Sequence, residues 1–173
     1  ESWSLLNSYI PIETMRVAGD PSPFLNHVRK LFPVERDYQI IVAYMAAIVQ
    51  YPGVKFQWAP LIQGVEGNAK SLLMTAVSKA VGLRYTHKPA AQDISNVFNA
   101  WISGTLFVAV EEVYVADRRE VIDALKPLIT DERVPITPKG VDQRTGDNRA
   151  NFMMSSNHKD AIRIAKGDRR YCV

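Results

Sequence analysis

The sequence predicts an α/β fold with a mainly parallel sheet, and three observations lead to that prediction. Short apolar segments alternate with helical patterns after residue 54, as in parallel α/β domains. The apolar run at residues 105–110 is unbroken, which is typical of a strand covered on both faces. A glycine-rich turn at residues 64–71 stands between a predicted strand and a predicted helix. With 173 residues, 47% of them hydrophobic, the chain can bury one substantial core.

Composition limits the class of protein. No apolar run approaches the roughly 20 residues that span a bilayer, and the chain does not open with a secretion signal. We therefore expect no membrane partner and a cytoplasmic location. The single cysteine, Cys172, cannot form an internal disulfide, and the three scattered histidines argue against a zinc site. Because the chain lacks an initiator Met and stops within a strand-like run at residues 170–173, we interpret it as a piece of a longer protein.

Residues 1–53 are predicted to form a helical segment that packs on the core. Breakers at Gly19, Asp20, Pro21 and Pro23 precede an amphipathic helix at residues 24–31, which Pro33 ends. The next helix, at residues 37–50, is apolar on nearly every side, so we expect it to be packed inside the protein.

Residues 54–173 are predicted to form the α/β core. Its expected elements are a strand at 59–63, a helix at 70–81, a helical stretch at 93–102, a strand at 105–110, a helix at 117–129, a hairpin whose first strand is 134–137, a mobile loop tip at 146–148 and a strand at 151–155. The hairpin is expected to turn at Lys139-Gly140.

The segment Gly64-Val65-Glu66-Gly67-Asn68-Ala69-Lys70-Ser71 has the context and composition of a phosphate-binding loop. Glycines let the backbone N–H groups turn toward an anion, and the following helix N-terminus favours negative charge. In such a loop Lys70 reaches the β- and γ-phosphates and the Ser71 hydroxyl ligates Mg²⁺. Ala69 replaces an expected glycine, and its helix propensity is expected to offset the loss. The residues predicted to bind the nucleotide are Gly64, Gly67, Asn68, Ala69, Lys70 and Ser71.

Two carboxylates, Glu111 and Glu112, follow the strand at 105–110, at the edge where parallel sheets place ligands. We assign Glu111 to the Mg²⁺ shell and Glu112 to the attacking water, because phosphoryl transfer needs charge neutralisation and a positioned nucleophile. Without the phosphate loop, a strand that turns polar where it meets solvent explains the pair better.

Asn157 ends the strand at 151–155 and is expected to position water near the γ-phosphate. By itself, an asparagine after a strand is a turn former.

Arg169 and Arg170 follow closely, and an arginine from a neighbouring subunit can stabilise transition-state charge. The plainer interpretation of these arginines is a surface ion pair between Asp168 and Arg170.

The order and spacing of these four segments resemble the superfamily 3 helicases, a branch of the AAA+ ATPases, and in particular phage and viral primase-helicases. The resemblance extends over nearly the whole chain, including residues 20–25, the sequence AAIVQYPG at 46–53, and Ser155-Ser156-Asn157-His158. It implies a three-layer P-loop NTPase fold that binds ATP and Mg²⁺. It also implies a hexameric ring that translocates on single-stranded DNA, and a covalently linked primase or polymerase domain.

By the same resemblance, Lys70 and Ser71 are phosphate-loop residues, Glu111 and Glu112 the Walker B acids, Asn157 sensor 1, and Arg169 or Arg170 the arginine finger. Glu111 departs from the aspartate of that pattern. Lys139 and Gly140 are implied to lie on a hairpin that grips single-stranded DNA, although a plain solvated turn also fits them. The chain's excess of three positive charges lies after residue 120, which is mild evidence for a polyanionic partner.

Two other functions fit the sequence. A monomeric nucleotide or small-molecule kinase can use the same loop, but the hairpin and the arginine pair then have no purpose. A DNA-binding or assembly module that no longer hydrolyses nucleotide is compatible with Ala69.

Overall fold

The computed structural model describes residues 10–12, 14, 17–111, 119–157 and 169–172. Within these ranges five strands form one sheet in the order β2-β3-β6-β1-β7, and every neighbouring pair is parallel. A separate antiparallel pair joins β4 to β5. The strands are β1 Ala59–Gln63, β2 Thr86–His87, β3 Phe107–Val110, β4 Arg133–Ile136, β5 Arg144–Asp147, β6 Asn151–Ser156 and β7 Tyr171–Cys172. The predicted mixed α/β class with a mainly parallel sheet is confirmed.

The helices lie on both faces of the sheet. They are α1 Ser22–Leu31, α2 Glu35–Gln50, α3 Lys70–Val81, α4 Ala91–Ile94 and α5 Arg119–Thr130. Alternate residues of the central strands enter two separate hydrophobic clusters, since neighbouring side chains of a strand point to opposite faces. Phe107 and Ala109 pack with α1, α2 and α3, whereas Val108 and Val110 pack with α5 and β4. The described residues therefore form three layers around a sheet that is buried on both sides.

The predicted limits of α3 and β1 agree with the structure, and those of α2 agree within two residues. The expectation that α2 is packed on nearly every side is wrong. Its buried residues, Ile41, Tyr44, Met45 and Ile48, lie on one face only. Tyr44 fixes this face, because its hydroxyl donates to the Phe152 carbonyl oxygen at 2.7 Å, and burial raises its pKa.

The helical stretch predicted at 93–102 is divided into the short helix α4 and a 3₁₀ turn, Ala100–Ile102. The cause is a long-range interaction. Asn99, between these two pieces, donates to the Pro135 carbonyl oxygen and accepts from the Thr137 N–H, both at 2.8 Å. Asn99 thus bonds to the backbone of the hairpin instead of continuing a helix.

The hairpin forms as predicted, with β4 and β5 on either side of Lys139-Gly140. The mobile loop tip predicted at 146–148 is wrong. Gly146 and Asp147 belong to β5, and Asn148 is fully buried. The Asn148 side-chain amide donates to the carbonyl oxygens of Leu128 and Asp131 at 2.8 and 2.7 Å, so it satisfies acceptors that the end of α5 leaves open. Within the described ranges, no helix has the length and apolarity to cross a membrane.

Candidate functional site

The candidate site lies at the carboxyl edge of the sheet, where β1, β3 and β6 end. β6 separates β1 from β3, with Gln63 in register with Ser156 and Val110 in register with Met154. The Gly64 N–H donates to the Ser156 carbonyl oxygen at 3.1 Å. Since neighbouring strands lie about 4.8 Å apart, the residues that follow these three strands fall within about 10 Å of each other along the edge. The sheet order therefore brings together Gly64, Glu111 and Asn157, which are far apart in sequence.

The loop from Gly64 to Ser71 joins β1 to α3. Gly67 has φ +77°, a left-handed conformation that glycine adopts without steric strain. Ala69 precedes the first residue of α3 and has φ 60° and ψ 30°, which is also left-handed. The expected offset from alanine's helix propensity is therefore wrong, because Ala69 is not helical. Alanine occupies a glycine conformation here, at a cost of roughly 1–2 kcal/mol.

Lys70 begins α3 and turns its side chain back into the loop. Its ammonium donates to the carbonyl oxygens of Gly64 and Val65 and to Asn68 Oδ1, at 2.9, 2.7 and 2.9 Å. Only 6% of the residue is exposed. Burial lowers the pKa of Lys70, and the nearby Glu66 carboxylate partly opposes this change. A cation is thus enclosed at the N-terminus of a twelve-residue helix, where the first N–H groups have no partner inside the helix.

Glu111 follows β3 at the same edge, where it forms an ion pair that the sequence did not suggest. Lys88, the residue after β2, places its Nζ 2.5 Å from Glu111 Oε2. The side chain of Glu111 is 22% exposed and that of Lys88 is 61% exposed, so water screens the pair and its contribution to stability is small. Glu111 is half-buried and accessible from the edge. Glu112 lies outside the described residues.

Asn157 is exposed and directly follows the buried pair Ser155 and Ser156. The prediction that its strand lies beside the strand of Glu111 is confirmed by the pairing of β3 with β6. Ser71 is also exposed, in the first turn of α3. Ser71, Glu111 and Asn157 therefore lie at the same end of the sheet as the loop.

Arg169 and Arg170 lie at the opposite edge. The Arg170 carbonyl oxygen accepts from the Ala59 N–H at 2.8 Å, and β7 pairs with the start of β1. The whole of β1, about 16 Å at 3.3 Å per residue, separates this point from Gly64. The structure does not bring these two arginines to the phosphate loop of their own chain. Asp168, the proposed ion-pair partner of Arg170, lies outside the described residues.

The β4–β5 hairpin is a second basic region. Lys139 is exposed at its turn, and Gly140 has φ +76°, a left-handed conformation that favours glycine. Next to the hairpin, Val97 and Phe98 are 72% and 48% exposed. Asn99, which follows them in the chain, makes two bonds to the backbone around β4 and so ties this segment to the hairpin.

Sequence reasoning missed three features of these regions: the Lys88–Glu111 pair, the Asn68 contact with Lys70, and the exposed Phe98. β2 has only two residues, too few to give a periodic signal that would place Lys88 at the edge. An apolar pair, Val97-Phe98, between polar residues at 95–96 and 99 was a weak signal for Phe98.

Residues 62–170 match the model of DUF5906, a family of unknown function. The chain belongs to this family. The matched DUF5906 region includes the phosphate-type loop, both acidic positions, the hairpin and β6. No function accompanies the family description, so the role of the chain rests on its own geometry and on its relatives.

A relative with a described role is the "DNA Primase-polymerase" of Nitratiruptor phage NrS-1, which is 26% identical over 183 residues. The alignment includes all of this DUF5906 chain but only 25% of that protein. Solved structures of the NrS-1 C-terminal region share its fold. An A-form apo structure superposes with a TM-score of 0.78 at 26% identity, and a second apo structure with 0.76 at 23% identity. Each covers 92% of this chain, which spans 39% of the solved one.

Proposed function

We propose that this DUF5906 chain is the ATP-hydrolysing motor domain of a ring-forming DNA helicase that works in phage DNA replication. The observation that carries the proposal is the enclosed Lys70 ammonium, in a glycine-containing loop at the carboxyl end of a central parallel strand. Glu111 and Asn157 follow the two strands next in order along the same edge. A buried cation, a helix N-terminus and an accessible carboxylate are the groups that bind a nucleotide triphosphate with its metal.

The residues at this edge suit ATP and Mg²⁺, in a P-loop NTPase fold. Lys70 binds the β- and γ-phosphates, while the Ser71 hydroxyl and the Glu111 carboxylate supply the oxygen ligands that Mg²⁺ prefers. Bound Mg²⁺ neutralises charge on the phosphates. Glu112 accepts the proton of the attacking water, and Asn157 holds that water through its amide without adding charge. The pair between Lys88 and Glu111 is solvent-screened and weak, so the Glu111 carboxylate would be available to hold the metal.

A shared active site supports the ring, which we propose to be a hexamer. Arg169 and Arg170 lie a full strand length from their own loop, so an arginine finger from this segment acts on the nucleotide of a neighbouring subunit. Head-to-tail interfaces of this kind form rings when the rotation between neighbouring subunits closes, and open filaments when it does not. Each finger then stabilises charge on the transferred phosphate of the next subunit, and hydrolysis depends on assembly.

Single-stranded DNA is the proposed substrate track. Lys139 and Gly140 at the hairpin turn follow phosphates without reading sequence, and the adjacent Phe98 offers a face on which a base can stack. The NrS-1 relative supports a place in phage replication. Because this chain spans a quarter of that relative, we propose that the parent protein also carries a primase or polymerase domain.

Subunit mixing tests the shared site. We measure ATP hydrolysis by the full-length parent, with and without single-stranded DNA, for Lys70→Ala, Arg169→Ala and Arg170→Ala. Lys70→Ala is expected to be inactive, and so is the variant of whichever arginine, Arg169 or Arg170, is the finger. An equal mixture regains about one quarter of the parent rate if subunits distribute randomly, because one interface in four joins an intact loop to an intact finger.

Arg29→Ala is the control, since Arg29 is an exposed arginine on α1 that pairs with Glu35, far along the chain from either group. A mixture as inactive as its components contradicts the shared site. A parent that releases no phosphate at all contradicts the motor itself.

A second candidate is a nucleotide-binding module, or a DNA-binding assembly domain, that does not hydrolyse ATP. Ala69 favours it, because its left-handed backbone carries a strain that the usual glycine avoids. Single-stranded DNA binding that is equal with and without ATP, together with no phosphate release, identifies this second function. A monomeric kinase would instead transfer the γ-phosphate of ATP to an acceptor molecule and would release no inorganic phosphate.

A further inference from the structure

The ammonium of Lys70 already has a complete set of partners. An ammonium group has three N–H donors and no acceptor. The three acceptors, which are two backbone carbonyl oxygens and Asn68 Oδ1, lie between 2.7 and 2.9 Å from Nζ. A phosphate oxygen that approaches Lys70 must therefore share or replace one of them.

The three acceptors are not equally free to leave. The Gly64 carbonyl belongs to a residue whose N–H is bonded to β6, and the Val65 carbonyl is next in the same backbone. Asn68 instead reaches Lys70 with a side chain that can rotate, and it is half-buried at the mouth of the loop. The loop also makes room for this amide: a Cβ on Gly64 would lie 2.7 Å from Asn68 Nδ2. The absence of a side chain at Gly64 is what admits the Asn68 amide beside Lys70.

We propose that the Asn68 carboxamide occupies the position beside Lys70 that a phosphate oxygen takes, and that nucleotide binds by displacing it from Lys70. Asn68 is then a positioning residue that competes with the ligand and sets the affinity of the site. The inference rests on the proposed phosphate-binding role of the loop. It adds the sign of one effect on nucleotide affinity. Removal of the Asn68 side chain tightens nucleotide binding, whereas the loss of an ordinary loop contact would weaken it.

The size of the effect follows from the bond that is exchanged. A hydrogen bond to a charged group contributes a net stabilisation in competition with water that is equivalent to about ten- to a hundredfold in affinity. Asn68→Ala is therefore expected to bind ATP about ten- to a hundredfold more tightly than the parent. Asn68→Asp is nearly the same size but pairs with the ammonium as an ion, so its affinity is expected to fall about tenfold or more.

The experiment uses the full-length parent protein and two probes, ATP in EDTA and inorganic pyrophosphate, with dissociation constants from isothermal titration calorimetry. A second measurement needs no phosphate: the rate at which a small acylating reagent labels Lys70, followed by mass spectrometry. Labelling is expected to be faster in Asn68→Ala and slower in Asn68→Asp, since the parent amide shields the amine. Gln39→Ala, which deletes an exposed amide on α2, is the matched control.

Tighter binding of both probes by Asn68→Ala, with faster labelling, supports the proposal. Unchanged or weaker binding by Asn68→Ala overturns it, as does unchanged labelling in both variants. If Asn68→Ala does not fold, Asn68→Asp decides alone: unchanged labelling of Lys70 overturns the proposal. Lys70→Ala separates this inference from the proposed function, because a parent that binds neither probe, or binds them equally after Lys70→Ala, contradicts the phosphate site itself.

Discussion

The phosphate-type loop and the β4–β5 hairpin each place a lysine near a glycine with a left-handed backbone, but they treat the lysine differently. Lys70 is 6% exposed and bonded to three oxygen acceptors. Lys139 is exposed, and among the described residues it takes part in no ion pair. The charge of Lys70 is held in a fixed direction inside the protein, while the charge of Lys139 extends into solvent.

This contrast shows that two kinds of anion recognition require different surroundings. A small ligand with one geometry is bound by an enclosed cation whose direction is set in advance. A polymer that slides needs a cation that can move with it and that water screens. Under the proposed function both lysines bind anions, and the burial of each lysine decides whether the anion is a small ligand or a polymer.

The largest expected effect comes from removing the enclosed lysine, Lys70. Lys70→Ala removes a preorganised charge from the phosphates, and ATP hydrolysis by the parent is expected to fall about 10²- to 10³-fold. Steady-state phosphate release measures it. Lys79→Ala, an exposed lysine in the last turn of the same helix, is the control. A Lys70→Ala protein with at least half of the parent rate contradicts the assignment of the loop.

A third lysine anchors the base of the hairpin and gives a pH test. Lys55 donates to the carbonyl oxygens of Leu128 and Ala150, and burial lowers its pKa to about 7, with Asp131 opposing the change. Between pH 7 and pH 10 the unfolded chain holds a proton on Lys55 that the folded chain lacks, so the free energy of unfolding rises with pH. The slope for one group is at most about 1.4 kcal/mol per pH unit, and partial solvent screening reduces the total to about 2 kcal/mol.

Urea denaturation of the parent and of Lys55→Met at several pH values measures this difference. The variant lacks the titrating group, so the difference in free energy of unfolding between the two proteins is expected to change only between pH 7 and pH 10. Parallel curves from pH 6 to pH 10 would show that Lys55 keeps its ordinary pKa.

At the exposed hairpin, two variants separate the contribution of base stacking to DNA affinity from the contribution of charge. Phe98→Ala is expected to lower affinity for single-stranded DNA about tenfold without changing its salt dependence, because a stacked base contributes about 1–3 kcal/mol. Lys139→Ala is expected to lower the slope of log affinity against log salt by about 0.7. Fluorescence anisotropy with a labelled oligonucleotide at several salt concentrations measures both. If both variants change the slope equally, Phe98 does not act by stacking.

The smallest effect concerns the loop backbone. Ala69→Gly relieves the left-handed strain but increases the freedom of the unfolded chain, so the free energy of unfolding is expected to rise by about 0.5–1 kcal/mol. Ala76→Gly, inside α3, is the matched control and is expected to destabilise by about 1 kcal/mol. Thermal denaturation followed by circular dichroism compares them. Two changes of the same sign are incompatible with a left-handed Ala69.

Local signals allowed much of the fold to be predicted. The glycines of the loop and Gly82 bracket α3, and a short apolar run before Gln63 marks β1, so both elements were predicted with their observed limits. Asn148 and Asn99 were not predictable in the same way. Their side chains bond to backbone groups 17 to 38 residues away, and a local pattern contains no record of such partners.

The candidate site was predictable as a set of residues but not as an arrangement. The chemistry of Lys70, Glu111 and Asn157 follows from residue type and from position after a strand. Their order along the edge depends on β6 lying between β1 and β3, which periodicity cannot determine. Contacts that depend on this order or on loop conformation, such as those of Lys88 and Asn68, were missed for the same reason.

The strand order also governs when the protein can fold. Both neighbours of β1 come from late in the chain, since Leu61 pairs with Met154 and Ala59 with Tyr171. While a ribosome is still making the hairpin, β1 has neither edge satisfied and its apolar residues lack a sheet to join. Pairing across such sequence separations is slow, and an unpaired apolar strand invites aggregation. The nascent domain is therefore exposed to aggregation until β6 and β7 emerge.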